Sequence, residues 1–244
     1  MPSLFASFET SRRHGRRRVV NLCLITAVTV LALNATGLQA RAAAHPAAGS
    51  ACAAPTGRYQ QQVEGYLGLS ADGKQSPQDC QAIRAYQQSH TIVPADGSAG
   101  AVTYTVAYWE WSLDHPAALS GCDAGSDLTA CVDLSHQIMW VQSGERTVFG
   151  PVPVRSGRVG AATRTGWFRI FRRDRNHISS LYHSPMPFSQ FFSNGQAFHG
   201  ILGDLYQQPG SYGCINMHYD EAQRLWSVLA DGSRAHIWGN KPIS

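Results

Sequence analysis

Charged side chains are scarce in this sequence, and its main apolar run is too short to cross a bilayer. Asp, Glu, Lys and Arg make up 15% of the 244 residues, against about a quarter in typical soluble domains. The apolar run covers residues 19–33, which is 15 residues, whereas a spanning helix needs about 20. Hydrophobic residues still make up 43% of the chain. That content suffices for one or two packed domains and excludes a wholly disordered chain.

The basic residues are concentrated at the start of the chain. The net charge is +4, but residues 1–44 hold six arginines and one acid, which leaves 14 basic and 15 acidic residues in 45–244. An arginine-rich segment, the apolar run and small residues follow one another there, as in a secretory signal peptide. We predict a signal peptide over residues 1–44 and a protein secreted to the cell envelope; an uncleaved anchor is the alternative. The remaining chain is near neutral, so charge gives no argument for a nucleic-acid partner, and we expect no stable membrane insertion after leader removal.

The cysteine count is odd once the leader is removed. Cys23 lies in the leader, and five cysteines remain. In an oxidising compartment cysteines are expected to pair. Proximity along the chain predicts the disulfides Cys52–Cys80 and Cys122–Cys131. Cys214 is then left without a partner, which makes it the first candidate for a functional residue.

The first part of the predicted mature chain has a helical pattern. Residues 45–56 are rich in Ala, Gly and Pro and predict a linker. Apolar spacing over residues 57–113 predicts three helices, with Ser76 as an N-cap before Pro77. This segment resembles the small peptidoglycan-binding domain found beside many cell-wall enzymes; a generic helical spacer is the alternative. Residues 114–129 predict a second linker, pinned by Cys122–Cys131.

The second part of the chain, residues 130–244, has a strand pattern with one late helix. Alternating or β-branched stretches predict strands over 130–142, 147–155, 166–172, 197–201 and 235–238. Two prolines place the second of these at a sheet edge. An apolar stripe with early acids and a terminal Asp-Gly predicts a helix over 220–230. The predicted fold class is therefore α+β: a small three-helix domain followed by a mainly β, sandwich-like domain.

Arginines are dense at one place in the second part. Seven of the eleven basic residues in 132–244 are arginines between positions 155 and 175, with Asp174 as the one acid there. A solvated strand face would explain this cluster. The alternative is a rim that attracts a substrate bearing carboxylates.

Cys214 lies in a segment suited to close approach of a substrate. Gly and small polar residues surround it, as a loop needs when its backbone must approach a ligand. A free thiol with a pKa of about 8.5 is mostly protonated at neutral pH and needs a nearby imidazole to act as a nucleophile. His199, at the end of an apolar strand, is the favoured base. His218 is the competing base, but it precedes the predicted helix, where capping is the simpler role.

These residues resemble the motif of the L,D-transpeptidase (YkuD-type) family: a His, a loop, then Ser/Thr-His-Gly-Cys, an apolar residue and Asn or Arg. The matching residues are His199, Ser211, Gly213, Cys214, Ile215 and Asn216. Residues 132–137, 153–158 and 163–166 resemble the family's strands, and 186–188 its substrate-side loop, so the resemblance covers about residues 122–240. There are two departures: Tyr212 stands where the family usually has His, and the 11-residue loop between His199 and Ser211 implies a narrower cleft.

The resemblance implies a secreted enzyme that forms 3→3 peptidoglycan cross-links. A tetrapeptide stem would be the acyl donor and D-Ala the leaving group; peptidoglycan stem peptides and glycan would be the partners, and no cofactor is expected. The implied roles are a nucleophile, Cys214; a proton acceptor and donor, His199; a backbone that orients it, Gly200; a residue that holds the turn, Ser211; oxyanion amides near Tyr212, Gly213 and Cys214; and a residue that positions the peptide, Asn216. No metal site is expected, because the other histidines lack ligand spacing. A cysteine L,D-carboxypeptidase or endopeptidase and a non-catalytic wall-binding protein are the alternatives.

Overall fold

The helical prediction for residues 57–113 is confirmed. The computed structural model describes residues 52–243, so the predicted signal peptide and most of the first linker lie outside the described residues. Helices α1 (Gln60–Tyr66), α2 (Pro77–Ser89) and α3 (Ala101–Asp114) follow one another. Ser76 caps α2: its hydroxyl accepts from the Asp79 amide at 3.1 Å, and the Asp79 carboxylate accepts from the Ser76 amide. This reciprocal pair satisfies two amides that the first helical turn cannot.

The three helices pack against each other and against the strands that follow. Val63, Ile83, Ala99 and Tyr104 form a small core, and the Cys52–Cys80 disulfide joins the start of the described chain to α2. Helix α3 reaches the β part, where the Trp109 indole donates to the Pro151 carbonyl at 3.1 Å. That the segment is a peptidoglycan-binding-like domain stays a prediction. No helix within residues 52–243 is long and apolar enough to span a membrane.

The described strands form two sheets, which confirms the α+β, sandwich-like fold class. The first sheet has the order β3-β2-β1-β9-β4 and the second the order β5-β6-β7-β8. Pairs β1–β9 and β7–β8 are parallel, and the other pairs are antiparallel. The elements are β1 (Thr129–Asp133), β2 (Ile138–Ser143), β3 (Arg146–Pro153), β4 (Gly166–Arg169), β5 (Arg172–Ile178), β6 (Pro185–Ser193), β7 (Gln196–Ile201), β8 (Ile215–His218), α4 (Tyr219–Val228) and β9 (Arg234–Trp238). As predicted, β3 is an edge strand.

Two stretches predicted as single strands are divided in the structure. Residues 130–142 form β1 and β2 with a turn between them, in which Gln137 has a φ of 52°. Residues 166–172 are divided because the chain changes sheets: the amide of Ile170 still bonds to Ser233, next to β9, while that of Phe171 bonds to Phe191 in β6. The predicted linker 114–129 contains a short 3₁₀ turn, Pro116–Ala118, and its last residue begins β1.

Strands β6 and β8 and most of β5 are absent from the sequence prediction. Residues 186–188 were expected to form a substrate-side loop, but they lie inside β6. Pro185 and Pro187 pair with β5 on one side of β6. On the other side, the pairing with β7 starts only at Gln190, so no strand of the described chain lies beside the two prolines there. That end of β6 is in effect an edge, where a missing amide breaks no ladder bond.

The main core lies between the two sheets and helix α4. Phe198, Ile215 and Met217 from the second sheet pack with Ala222 and Leu225 of α4. A Cβ on Gly200 would lie 3.1 Å from the Tyr219 backbone and 3.2 Å from the Ala222 side chain. Glycine there lets α4 approach β7 closely. Because side chains alternate along a strand, Ala197 and His199 point to the opposite face of this sheet.

Candidate active site

The face of the second sheet that points away from α4 carries an open cleft of about 520 Å³. Its walls include three motif residues, Cys214, His199 and Asn216. Cys214 packs against a small apolar cluster of Met186, Phe191 and Ala197. A cleft of this size suits a ligand as large as a short peptide. The fold thus brings the predicted nucleophile and the predicted base into one cavity.

Cys214 is unpaired and half-buried, whereas the other four cysteines of the described chain form the two predicted disulfides, Cys52–Cys80 and Cys122–Cys131. Both parts of the cysteine prediction are confirmed. Among residues 52–243, the acceptor for the Cys214 thiol is the Gly195 carbonyl oxygen, at an Sγ–O distance of 3.8 Å, and not His199. Burial raises the pKa of the thiol, against a smaller lowering by the Ala197 backbone amide. The thiol at rest is therefore neutral.

His199 is held by a hydrogen bond at each ring nitrogen. It lies on β7, is 7% exposed and pairs in register with Asn216 on β8. Nδ1 is 2.8 Å from the Gly200 carbonyl, and Nε2 is 2.8 Å from the Asn216 side-chain nitrogen. The carbonyl can only accept, so Nδ1 carries the proton. Gly200 therefore has the position required for its predicted orienting role.

Arg155 fixes the direction of the Asn216 amide, and it was not among the predicted site residues. Its Nε and Nη2 donate to Asn216 Oδ1 at 3.2 and 2.9 Å, and its Nη1 donates to the Gln207 carbonyl at 3.1 Å. A guanidinium only donates, so the amide oxygen must face Arg155 and the amide N–H must face His199. The Nε2 of His199 consequently holds a lone pair and accepts from Asn216. Asn216, which is buried, contacts the base rather than only lining the path of a peptide.

The imidazole of His199 is strongly biased toward its neutral form. Burial is the main cause that lowers its pKa to about 4. The positive charge of Arg155 lowers this pKa further, while the bond to the Gly200 carbonyl opposes the shift. A neutral thiol therefore faces a neutral imidazole at physiological pH, rather than a thiolate facing an imidazolium.

The turn before Cys214 is closed by Ser211. Its hydroxyl donates to the Cys214 carbonyl at 2.6 Å and accepts from the Gly213 amide at 3.0 Å. The Gly213 amide is thus engaged, which leaves those of Tyr212 and Cys214 as candidate oxyanion donors. Gly213 has a φ of 111°, and a Cβ there would lie 2.3 Å from the Gln196 side chain. Only glycine fits this position.

The remaining candidates are divided between the cleft and the surface. His218 does not line the cleft; it is the N-cap residue of α4, and its amide donates to Glu221 at 3.2 Å. The arginine cluster is also divided: Arg155 and Arg164 line the cleft, whereas Arg173 stacks on Trp226. The cluster is therefore neither wholly a solvated strand face nor wholly a rim of the cleft. Within residues 52–243 no group of three or more His, Cys, Asp or Glu is placed to hold a metal ion.

Comparisons with known proteins identify the family of the chain. The family model for the L,D-transpeptidase catalytic domain (YkuD) matches residues 127–237. An L,D-transpeptidase structure from Stackebrandtia nassauensis is 33% identical, with 78% of this chain and 99% of that chain covered and a TM-score of 0.53. Another, from Xylanimonas cellulosilytica, is 23% identical, with 75% and 95% covered and a TM-score of 0.45. The search of curated proteins found no match. Since the Stackebrandtia relative is aligned over almost its whole length, the chain belongs to the L,D-transpeptidase family.

Proposed function

We propose that the protein is a secreted enzyme that forms 3→3 cross-links between peptidoglycan stem peptides. The observation that carries the proposal is the shared cleft of an unpaired thiol, Cys214, and an imidazole, His199, whose basic nitrogen is defined by its neighbours. Two disulfides in the described chain support an oxidising compartment outside the cytoplasm. The donor would be a tetrapeptide stem, and the acceptor the side-chain amine of a diamino acid in a second stem.

The first half of the reaction transfers an acyl group to the thiol. Cys214 Sγ attacks the carbonyl carbon of the stem's third residue, and its proton passes to His199 Nε2. The peptide bond to the terminal D-Ala breaks, and the leaving amine takes that proton from His199. The product is a thioester on Cys214 and free D-Ala. Backbone amides of Tyr212 and Cys214 would stabilise the oxyanion.

The second half transfers the acyl group to the acceptor. The neutral amine attacks the thioester carbon, gives its proton to His199, and expels the sulfur of Cys214, which regains a proton. An amide bond forms and a C–S bond breaks, so no oxidant or cofactor enters the balance. Water in place of the amine would turn the same site into a carboxypeptidase or endopeptidase.

Because the Cys214 thiol and the His199 imidazole are both neutral before the substrate binds, the thiol should lose its proton during its attack on the substrate carbonyl. With a His199 pKa of about 4, the imidazole cannot hold the thiol proton before the substrate arrives. The Asn216 amide N–H also competes for the lone pair of Nε2. The amide must therefore release Nε2 when the thiol gives up its proton. Proton transfer and bond formation at sulfur are expected to occur together.

Product analysis on a disaccharide-tetrapeptide tests the proposal. The secreted protein should release D-Ala and form a cross-linked dimer, and a carbapenem should add once to the intact protein as a thioester. Cys214→Ala should lose both reactions, and Cys122 and Cys131 should stay disulfide-bonded in both proteins. Release of D-Ala without a dimer would indicate the hydrolase instead. An unchanged mass with both donors would indicate a non-catalytic wall-binding protein.

A further inference from the structure

Tyr212 occupies the motif position where the family resemblance expects a second imidazole, and its ring contacts both another aromatic ring and a guanidinium. The Tyr182 ring lies 4.3 Å from it, centroid to centroid, at an interplanar angle of 28°. The Arg158 guanidinium lies 3.8 Å from the Tyr212 centroid. Tyr212 and Tyr182 are still 50% and 49% exposed. The two rings therefore cover each other, and each side chain stays about half exposed.

The stacked rings come from two separate walls of the thiol cleft. Tyr182 belongs to the turn between β5 and β6, and Tyr212 to the loop between β7 and β8; both line the cleft that contains Cys214. Contact between the two walls closes this part of the cleft. A substrate that reaches Cys214 from that side must pass beneath the pair or separate it.

The two walls are anchored very differently. The Tyr212 loop is bonded to a distant segment: the Ser211 amide donates to the Ser156 carbonyl at 3.0 Å, and the Arg158 amide donates to the Ser211 carbonyl at 2.9 Å. The Tyr182 turn has local bonds, in which the amides of Tyr182 and His183 donate to Ser179 at 3.1 and 2.8 Å. Segments held by few long-range bonds open more readily. We therefore expect the Tyr182 turn to move and Tyr212 to be its fixed contact.

We propose that the Tyr182–Tyr212 pair closes the thiol cleft and that Tyr212 determines specificity by limiting the bulk of the donor that reaches Cys214. The inference rests on the proposed function for its substrate class: slim, linear peptide donors pass beneath the pair, whereas bulky or ring-fused donors must separate it. An exposed aromatic pair shifts an equilibrium by about tenfold at most, and the Arg158 guanidinium adds nothing to the closure because it contacts Tyr212 on the same anchored side. The closure is therefore well populated and still opens readily.

Thiol alkylation tests the closure without requiring acyl transfer. The reaction of Cys214 with iodoacetamide and with a bulky maleimide is followed by intact mass. Tyr182→Ala and Tyr212→Ala should each speed the maleimide reaction by about three- to tenfold and the iodoacetamide reaction much less. The double variant should be no faster than either single variant, because both remove one contact. Equal rates in all proteins, or additive effects, would overturn the proposal.

Conservative and distant variants separate a closure from a general loosening of the fold. Tyr182→Phe and Tyr212→Phe keep the stacked rings and should retain slow maleimide alkylation. Tyr219→Ala removes an exposed tyrosine outside the cleft, where it meets Phe188 edge-on, and should not change the alkylation rate. Faster alkylation in Tyr219→Ala would point to loosening rather than to the closure.

Oxidative coupling tests the geometry directly. Photo-oxidation should join Tyr182 to Tyr212 as dityrosine, mapped by peptide mass spectrometry. The stacked pair Tyr59–Tyr104, with centroids 4.5 Å apart, is the internal positive control. Coupling of the control pair without the cleft pair would overturn the closure. If the alkylation and coupling results hold but no acyl donor modifies Cys214, the proposed function fails and the closure stands.

Discussion

Asn216→Asp should raise the pH at which the enzyme loses activity in acid. The Asn216 amide lies between the Arg155 guanidinium and His199 Nε2, with contacts of 2.9 and 2.8 Å. An aspartate at this position can still accept from Arg155, but it offers an acceptor rather than a donor to Nε2. The imidazolium, disfavoured in the parent protein, would then gain a hydrogen bond and an opposite charge.

The size of the shift follows from Coulomb's law. Two unit charges separated by the 2.8 Å of the Asn216–His199 contact attract each other by about 6 kcal/mol at an effective dielectric constant near 20. The positive charge of Arg155 offsets much of the charge of the new carboxylate. We therefore take roughly half of the attraction energy, about 3 kcal/mol, as the net stabilisation of the imidazolium. One pKa unit corresponds to about 1.4 kcal/mol. The pKa of His199, lowered to about 4 in the parent protein, should therefore rise by about two units.

The assay is the pH dependence of kcat/KM, which reports groups of the free enzyme. The parent protein should keep its activity down to a pH near the His199 pKa of about 4, and Asn216→Asp should lose its activity about two units higher. Asn240→Asp adds the same charge at an exposed site outside the cleft and is the matched control. An acid limb that stays in place in Asn216→Asp would refute the link between Asn216 and His199.

Three further predictions concern stability. Burial raises the pKa of Glu221 to about 7, so the folded protein loses stability as pH rises from about 4.5 to 7. Glu221→Gln should remove up to about 3 kcal/mol of that loss. In urea unfolding, the variant should therefore be more stable than the parent protein at pH 8 but not at pH 4. Gly213→Ala places a Cβ 2.3 Å from Gln196 at a φ of 111°; it should lower the stability by about 1–3 kcal/mol and abolish acylation, and a normal melting temperature with full acylation would contradict this. Replacing Cys52 and Cys80 by Ser opens a 28-residue separation and should lower the free energy of unfolding by about 3 kcal/mol, while the thiol still reacts with acyl donors.

The sequence was most informative where local chemistry decides the structure. The Ser76–Asp79 cap, the stripe of α4 and the odd cysteine each depend on neighbours in the chain or on counting. The motif around Cys214 likewise contains its own turn, because Ser211 and Gly213 bond within it. Such features can be predicted from one sequence since their partners lie within a few residues.

Contacts between distant segments could not be predicted in this way. Arg155 meets Asn216 across 61 positions in the chain, so the sequence showed it only as one arginine of a dense group. Tyr182 and Tyr212 are likewise on separate segments, the turn between β5 and β6 and the loop between β7 and β8. Strand β6 was missed, and residues 186–188 were expected to form a loop; the prolines of β6 fit a strand only because β7 does not pair with that end of it. In each case the deciding partner comes from tertiary structure.

The most direct test of the account is to trap the acyl-enzyme with the natural donor. The protein is mixed with a disaccharide-tetrapeptide without acceptor, quenched in acid, digested and sequenced by mass spectrometry. We expect a thioester-linked tripeptide stem on Cys214, with one D-Ala released per acyl group and no adduct in Cys214→Ala. D-Ala release without an acyl group on Cys214, or an adduct on another residue, would contradict acyl transfer through this thiol.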